Sequence, residues 1–146
     1  MRVQSSCYCT NLRRAAGTLT DRYDEALRPA GLRAAQYSLL AQLSRLGSAN
    51  ITHWARYAGL DRSTMVRNIR LLRDRGLVEP DAGSGKTFRL SPEGQAAVDR
   101  AAPLWAKAQE ELCAWLGQAD ADALIRISRR LQTLDASEDG GDGHAL

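Results

Sequence analysis

Histidine and cysteine are too scarce in this sequence to build the commonest catalytic or metal centres. The two histidines, His53 and His144, lie far apart, and neither has cysteine partners at zinc-ligand spacing. No Ser-His-Asp or Cys-His pair and no carboxylate dyad is visible, which argues against an enzyme and against a metal or other cofactor. Three cysteines make an odd number, which argues against a disulfide scaffold. No apolar run approaches the roughly 20 residues needed to cross a bilayer, so no membrane is expected among the partners. The opening stretch, MRVQSSCYCTNLRR, lacks the apolar core of a secretory signal, and a cytoplasmic location follows by default. Internal repeats are absent as well.

What is abundant is arginine, at 18 of the 20 basic residues, although the net charge is only +3. Arginine offers a flat fork of donors suited to phosphates and guanine edges, whereas lysine is a point charge. The placement matters more than the number. Between residues 53 and 89 lie Arg56, Arg62, Arg67, Arg70, Arg73, Arg75, Lys86 and Arg89, against Asp61, Asp74, Glu79 and Asp81. The last dozen residues are acidic. A local basic patch on a nearly neutral chain points to a polyanion partner.

Apolar steps of three and four predict a helix from about Ser6 to Leu27, stopped by Pro29 and Gly31. A second is expected over Arg33–Leu46 and a short third over Thr52–Ala58. Asp61 then caps a fourth that runs to Arg75, with Gly76 closing it. Two short β-like pieces, Leu77-Val78 and Phe88–Leu90, flank a Gly-rich turn and read as a hairpin. Ser91-Pro92-Glu93 opens a long helix to about Leu116, with a kink expected at Pro103. Gly117 breaks the chain before a last helix over Asp120–Leu134. The tail, 135–146, has nothing to bury and is expected to be disordered. The chain has 146 residues, enough for one domain with a real core but not for two.

GSGKT, residues 83–87, matches the end of a phosphate-binding loop, G-x-x-x-x-G-K-[ST]. The first glycine of that pattern is Pro80, which lacks an N–H and has a fixed φ. The residues after Gly85 alternate as a strand, where a nucleotide loop needs a helix beginning at Lys-Thr. The stretch therefore reads as a hairpin tip. An ATP- or GTP-binding role would require Lys86→Ala to abolish nucleotide binding.

THWARYAGLDRSTMVRNIRLLRDR, residues 52–75, has the pattern of a helix-turn-helix, with Ala55 and Gly59 where two steeply crossing helices touch and turn. On the second helix Met65, Asn68, Ile69 and Leu72 fall on one side. Ser63, Arg67, Arg70 and Asp74 fall opposite, flanked by Val66. A helix that buries one face and shows Ser, Arg and Arg on the other suits a major groove. The hairpin, with Lys86 and Arg89, is placed as the wing of a winged helix.

The chain resembles the MarR-type transcription regulators along nearly its whole length. The resemblance is carried by LRPAGLRAAQYSLLAQL (27–43), GLDRSTMVRNIRLLRDRGLVE (59–79) and RLSPEGQAAV (89–98). It implies a mainly α fold with a small β-hairpin wing, in one domain over 1–134. Residues 33–91 would form the winged helix-turn-helix, and 6–31 and 92–134 the dimerisation helices. It also implies a homodimer on a pseudo-palindromic operator of double-stranded DNA, usually a repressor released by a small ligand or by oxidation. Matching positions place Ser63, Thr64, Arg67 and Arg70 toward the major groove, Arg73 in the same DNA-binding set, and Lys86 and Arg89 on the wing. Many relatives carry an Asp-x-Arg pair in a longer wing, and DAGSGKTFR has no such pair. The apolar residues of the last two helices, among them Trp105, Trp115 and Leu131, exceed what one small chain covers, which independently suggests a dimer.

Within the family, organic-hydroperoxide sensors carry a reactive cysteine in the first helix. Aligning on Gln36-Tyr37 puts Cys9 at that position and matches Tyr23 to one of two tyrosines that hydrogen-bond it, while Ala34 replaces the other. A helix N-terminus favours the thiolate, and Arg13 lies one turn beyond Cys9. Cys113 is a candidate resolving thiol from the partner subunit. Cys7 and Cys9 are poorly oriented on a helix to pair with each other. The other candidate inducer is a small aromatic ligand, with Tyr37 and Trp54 as candidate pocket residues; a structural role for Cys9, and no ligand at all, also stay open. The alternative to a regulator is a helical dimer that uses its winged helix for protein–protein contacts.

Overall fold

The computed structural model describes residues 6–83 and 85–134; the expected disordered tail, 135–146, lies outside them. Six helices and a three-stranded antiparallel sheet follow in the order α1 (Tyr8–Leu27), a 3-10 turn (Arg28–Ala30), α2 (Ala34–Leu46), β1 (Ala49–Asn50), α3 (Ile51–Ala58), α4 (Arg62–Asp74), β2 (Val78–Pro80), β3 (Thr87–Leu90), α5 (Pro92–Leu116) and α6 (Gln118–Leu131). Each predicted helix is present within about two residues of its expected ends, apart from the last turn of α6. The described residues form two compact units, divided between Ala108 and Gln109.

In the first unit the core gathers Leu27, Leu40, Leu43, Trp54, Met65 and Leu72, all fully buried, from α1 to α4. Phe88 of the wing and Ala97, Val98 and Ala101 of α5 close it. In sequence the sheet reads as a two-stranded hairpin, but the structure adds β1 and orders the strands β1-β3-β2. Ala49 stands opposite Phe88 and Asn50 opposite Thr87, so the wing is tied to the start of α3. Two residues carry no periodicity, which is why β1 is invisible in the sequence.

The junctions are set by local chemistry. Gly59 takes a left-handed φ of 69°, and the Leu60 N–H returns to the Ala55 carbonyl at 2.9 Å. Ser91 caps α5 from a buried position: its hydroxyl donates to Gly76 O at 2.5 Å and accepts the Gly94 N–H at 3.0 Å. Gly94 lies so close to Leu77 that a Cβ there would fall on the Leu77 carbonyl. Arg75, part of the basic run, is tied inward, donating to Gly31 O at 2.7 Å and to Gln36 Oε1 at 3.2 Å. α5 stays one helix across Pro103.

The second unit holds the end of α5 and all of α6, and none of the α6 residues is buried. Trp115, Ile125 and Ile127 are exposed, Trp115 at 83%. Among the described residues, no helix is long and apolar enough to cross a membrane.

Candidate nucleic-acid interface

α4 is fixed in rotation by three side chains, Met65, Ile69 and Leu72, which are essentially buried. Burying each contributes about 1.5–3 kcal/mol, and turning the helix by half a revolution would forfeit all three. Ser63, Arg67, Arg70, Arg73 and Asp74 are consequently exposed, and Thr64 and Asn68 sit half-buried at the border. The arginine-bearing side faces out of the chain.

The N-terminus of α4 is organised by Asp61. Its carboxylate accepts the Thr64 N–H at 2.9 Å and the hydroxyls of Ser63 and Thr64, each at 2.6 Å. Those bonds, the Ser63 hydroxyl first and then the Thr64 hydroxyl and N–H, hold the Asp61 carboxyl well below the usual carboxylate range. Arg62 reaches back to α3, donating to Thr52 Oγ1 at 2.9 Å. Sequence reasoning identifies Asp61 as a cap but not as the common partner of both hydroxyls, since rotamers decide that.

Three of the predicted DNA contacts, Arg70, Arg73 and Arg89, divide between two depressions. Arg70 and Arg73 line a cleft of about 450 Å³ between α4 and the wing, together with Val66, Asp74 and Phe88. The Arg73 guanidinium lies over the Phe88 ring, 5.8 Å from its centroid. Arg89 lines a different depression, with Ser44, Gly47 and Gln95, because Phe88 and Arg89 alternate across β3. There it pairs with Glu79 at 3.0 Å. Glu79 stands directly across the ladder from Arg89. The wing therefore does hold an acid against its arginine, though not in the Asp-x-Arg spacing sought in the sequence. Both side chains are more than a third exposed, so the pair orients Arg89 more than it stabilises the fold. Lys86 is exposed near the hairpin tip, where Gly85 takes a φ of 64° and β3 begins at Thr87. A strand, not a helix, follows Gly-Lys-Thr, as the hairpin reading requires.

The candidate sensing residues also separate. Cys7 is the N-cap of α1, and the Thr10 hydroxyl and N–H beside it hold its thiol below the usual value. Cys9 is exposed, with Arg13 Nη2 at 3.7 Å from its sulfur. Tyr23 lies near the other end of α1, about 21 Å along the axis from Cys9, so the two cannot meet within one chain. Cys113 is half-buried and donates to Gln118 Oε1 at 3.5 Å. Tyr23 instead joins Tyr37, Ser38, Gln42, Arg45 and Trp105 around a cavity of about 280 Å³. Tyr37 and Trp105 are in tilted ring contact, their centroids 6.1 Å apart. Burial pushes the Tyr23 and Tyr37 phenols up, with Arg45 opposing it at Tyr37. Trp54, expected beside Tyr37, is instead fully buried in the winged-helix core and is not among the residues lining this cavity. Its aromatic bulk completes the packing of α2, α3 and α4, which single-residue reasoning cannot distinguish from pocket lining. Arg45 and Trp105 also line this cavity without being marked as pocket residues by the sequence, although Ser38, Gln42 and Arg45 repeat on one face of α2.

No functionally curated protein matches the sequence. The MarR family profile matches residues 30–86. Among solved structures, the transcriptional regulator MosR of M. tuberculosis in complex with DNA is 37% identical. That alignment covers 90% of this chain and 98% of that one, with a TM-score of 0.79. The transcriptional repressor CouR, bound to p-coumaroyl-CoA, is 26% identical over 92% of this chain and 98% of that one, also with a TM-score of 0.79. The reduced form of MarR from E. coli, 17% identical over 88% of this chain and 95% of that one, shares the fold with a TM-score of 0.69. With this identity across nearly the full length, and with an outward-facing recognition helix beside a wing, the chain belongs to the MarR family of DNA-binding transcription regulators.

Proposed function

We propose that this protein is a homodimeric repressor that holds a pseudo-palindromic operator through α4 and releases it on oxidation. The observation that carries the DNA reading is the exposed Ser63, Arg67 and Arg70 face of α4, held outward by Met65, Ile69 and Leu72. The DNA complex of the 37% identical MosR supports it. Such a protein acts in the cytoplasm, where its operator is. The dimer reading is supported by α6, none of whose residues is fully buried within its own chain, and by Trp115, Ile125 and Ile127, which are left exposed. Two copies present two recognition helices to successive turns of one duplex face.

The release step begins at the start of α1, where Cys7 and Cys9 are accessible and basic or hydrogen-bonding groups attend both. A hydroperoxide oxidises the Cys9 thiolate to a sulfenate and is itself reduced to the alcohol. Tyr23 and Cys113 enter this reading as residues that a second subunit brings toward Cys9. A second reading rests on the cavity around Tyr37 and Arg45: its aromatic walls and guanidinium suit a small aromatic anion.

The test is binding to duplexes selected from random DNA, titrated with salt and repeated after peroxide. A protein neutralising about six phosphates loses on the order of a thousandfold in affinity between 50 and 200 mM salt. Absence of duplex binding at low salt refutes the regulator reading and favours protein–protein contacts. Operator binding that peroxide leaves intact, but an aromatic acid weakens, shifts the sensing role to the cavity.

A further inference from the structure

The hydroxyls at the tip of α4 have their protons already committed. Ser63 Oγ lies 2.6 Å from Asp61 Oδ1, and Thr64 Oγ1 lies 2.6 Å from Asp61 Oδ2. An ionised carboxylate only accepts, so in both bonds the hydroxyl is the donor, and each hydroxyl has a single proton. What remains on each oxygen is acceptor capacity. Thr64 turns part of its own toward Arg67, whose Nη2 lies 3.5 Å from Oγ1. Thr64 is also half-buried, whereas Ser63 is exposed. The outward group at the tip is therefore a serine oxygen that can accept and has no proton left to give. Donation to a charged carboxylate also raises the electron density on that oxygen and makes it the stronger acceptor.

We infer that Ser63, polarised by Asp61, is an acceptor-only reader of the operator that selects the exocyclic amino group of adenine or cytosine. In the major groove those amino groups are the donors offered by the bases; guanine presents two acceptors, and thymine an acceptor and a methyl. An acceptor facing guanine O6 or thymine O4 meets another acceptor and is repelled. A phosphate oxygen is excluded for the same reason, and the Asp61 charge beside the tip adds to that exclusion. The tip thus seats over base edges, while the arginines farther along α4 serve guanines and the backbone. Asp61 acts here as a positioning residue, through the hydroxyl. The inference rests on α4 being the element that enters the groove.

The experiment is selection of bound duplexes from random DNA by the full chain and three variants: Ser63→Ala, Asp61→Ser and Asp61→Asn. The position whose preference disappears in Ser63→Ala is the base beneath Ser63. The native protein is expected to favour adenine or cytosine there by about fivefold, the worth of one neutral hydrogen bond. Asp61→Ser still caps the helix but cannot take both hydroxyl protons, so it levels or inverts the preference at that position alone. Asp61→Asn keeps one acceptor oxygen for Ser63 and keeps the preference. Replacing a selected adenine by purine, which lacks the amino group, weakens the native protein by the same factor and leaves Asp61→Ser unaffected. A native preference for guanine or thymine at that position overturns the inference. An unchanged preference in Asp61→Ser does so too, as does a Ser63→Ala profile identical to the native one. Failure of the native protein to select any duplex is a different result, and it removes the recognition-helix reading along with this one.

Discussion

Gly94→Ala separates a close backbone contact from an ordinary helical position. Gly94 lies in the first turn of α5, where alanine would normally favour the helix by up to about 1 kcal/mol. Here the added Cβ falls on the carbonyl of Leu77, with the Leu77 carbonyl carbon and Cα also near. That carbonyl already accepts the Ser91 N–H at 3.1 Å, and the Ser91 hydroxyl bridges Gly76 O and Gly94 N. Leu77 and Val78 are buried, so the strand cannot retreat without opening the core. Overpacking of this kind costs about 1–3 kcal/mol. Stretching two of the three Ser91 bonds adds about 1–2 kcal/mol. Against the alanine gain, the net expectation is a loss of about 1–4 kcal/mol. In a chain of this size that lowers Tm on the order of 10 °C.

Thermal or urea unfolding reads the change, with both proteins at one concentration because a dimer's apparent stability depends on it. Gly17→Ala is the matched comparison: it lies mid-helix in α1 with nothing within 4 Å of its Cβ position, and it should stabilise by up to about 1 kcal/mol. If Gly94→Ala lies within about 0.5 kcal/mol of the native protein, or the two substitutions agree in sign, the contact with Leu77 does not constrain the start of α5.

Arg67→Ala should weaken operator binding by about 1–3 kcal/mol while sparing part of the non-specific affinity, as read by titration against operator and random duplex; unchanged operator affinity counts against the outward face of α4 as the reader. Cys9→Ser should leave operator binding intact and abolish release by peroxide, and release that survives the change rejects that thiol as the sensor. Trp115→Glu places a charge on a residue 83% exposed within the chain; it should shift sedimentation from dimer to monomer with helix content retained. A dimer that persists unchanged places the interface elsewhere.

The helices were legible because their apolar spacing, caps and breakers agree. Asp61 caps α4, Gly59 and Gly76 end helices at φ near 70°, and Ser91 caps α5, each a local event within four residues. Which side of α4 faces out was legible for the same reason, since Met65, Ile69 and Leu72 leave only one way to turn the helix. Contacts across elements were not. Strand register places Glu79 opposite Arg89, and nothing in a ten-residue separation announces it. Trp54 and Tyr37 look alike as pocket candidates in a one-dimensional reading. One fills the core and the other lines a cavity with Trp105, a residue more than sixty positions away.

Periodicity and capping act over one or two turns of chain, so the sequence alone determines the element order, the winged-helix pattern and the polar face of α4. Distances between residues remote in the chain depend on how whole elements pack. Only the tertiary structure decides that Arg89 turns away from Arg70 and Arg73 toward Glu79, and that Gly94 has no room for a methyl. Each of those is a matter of ångströms between atoms, and the order of residues along a chain does not specify it until the core has closed.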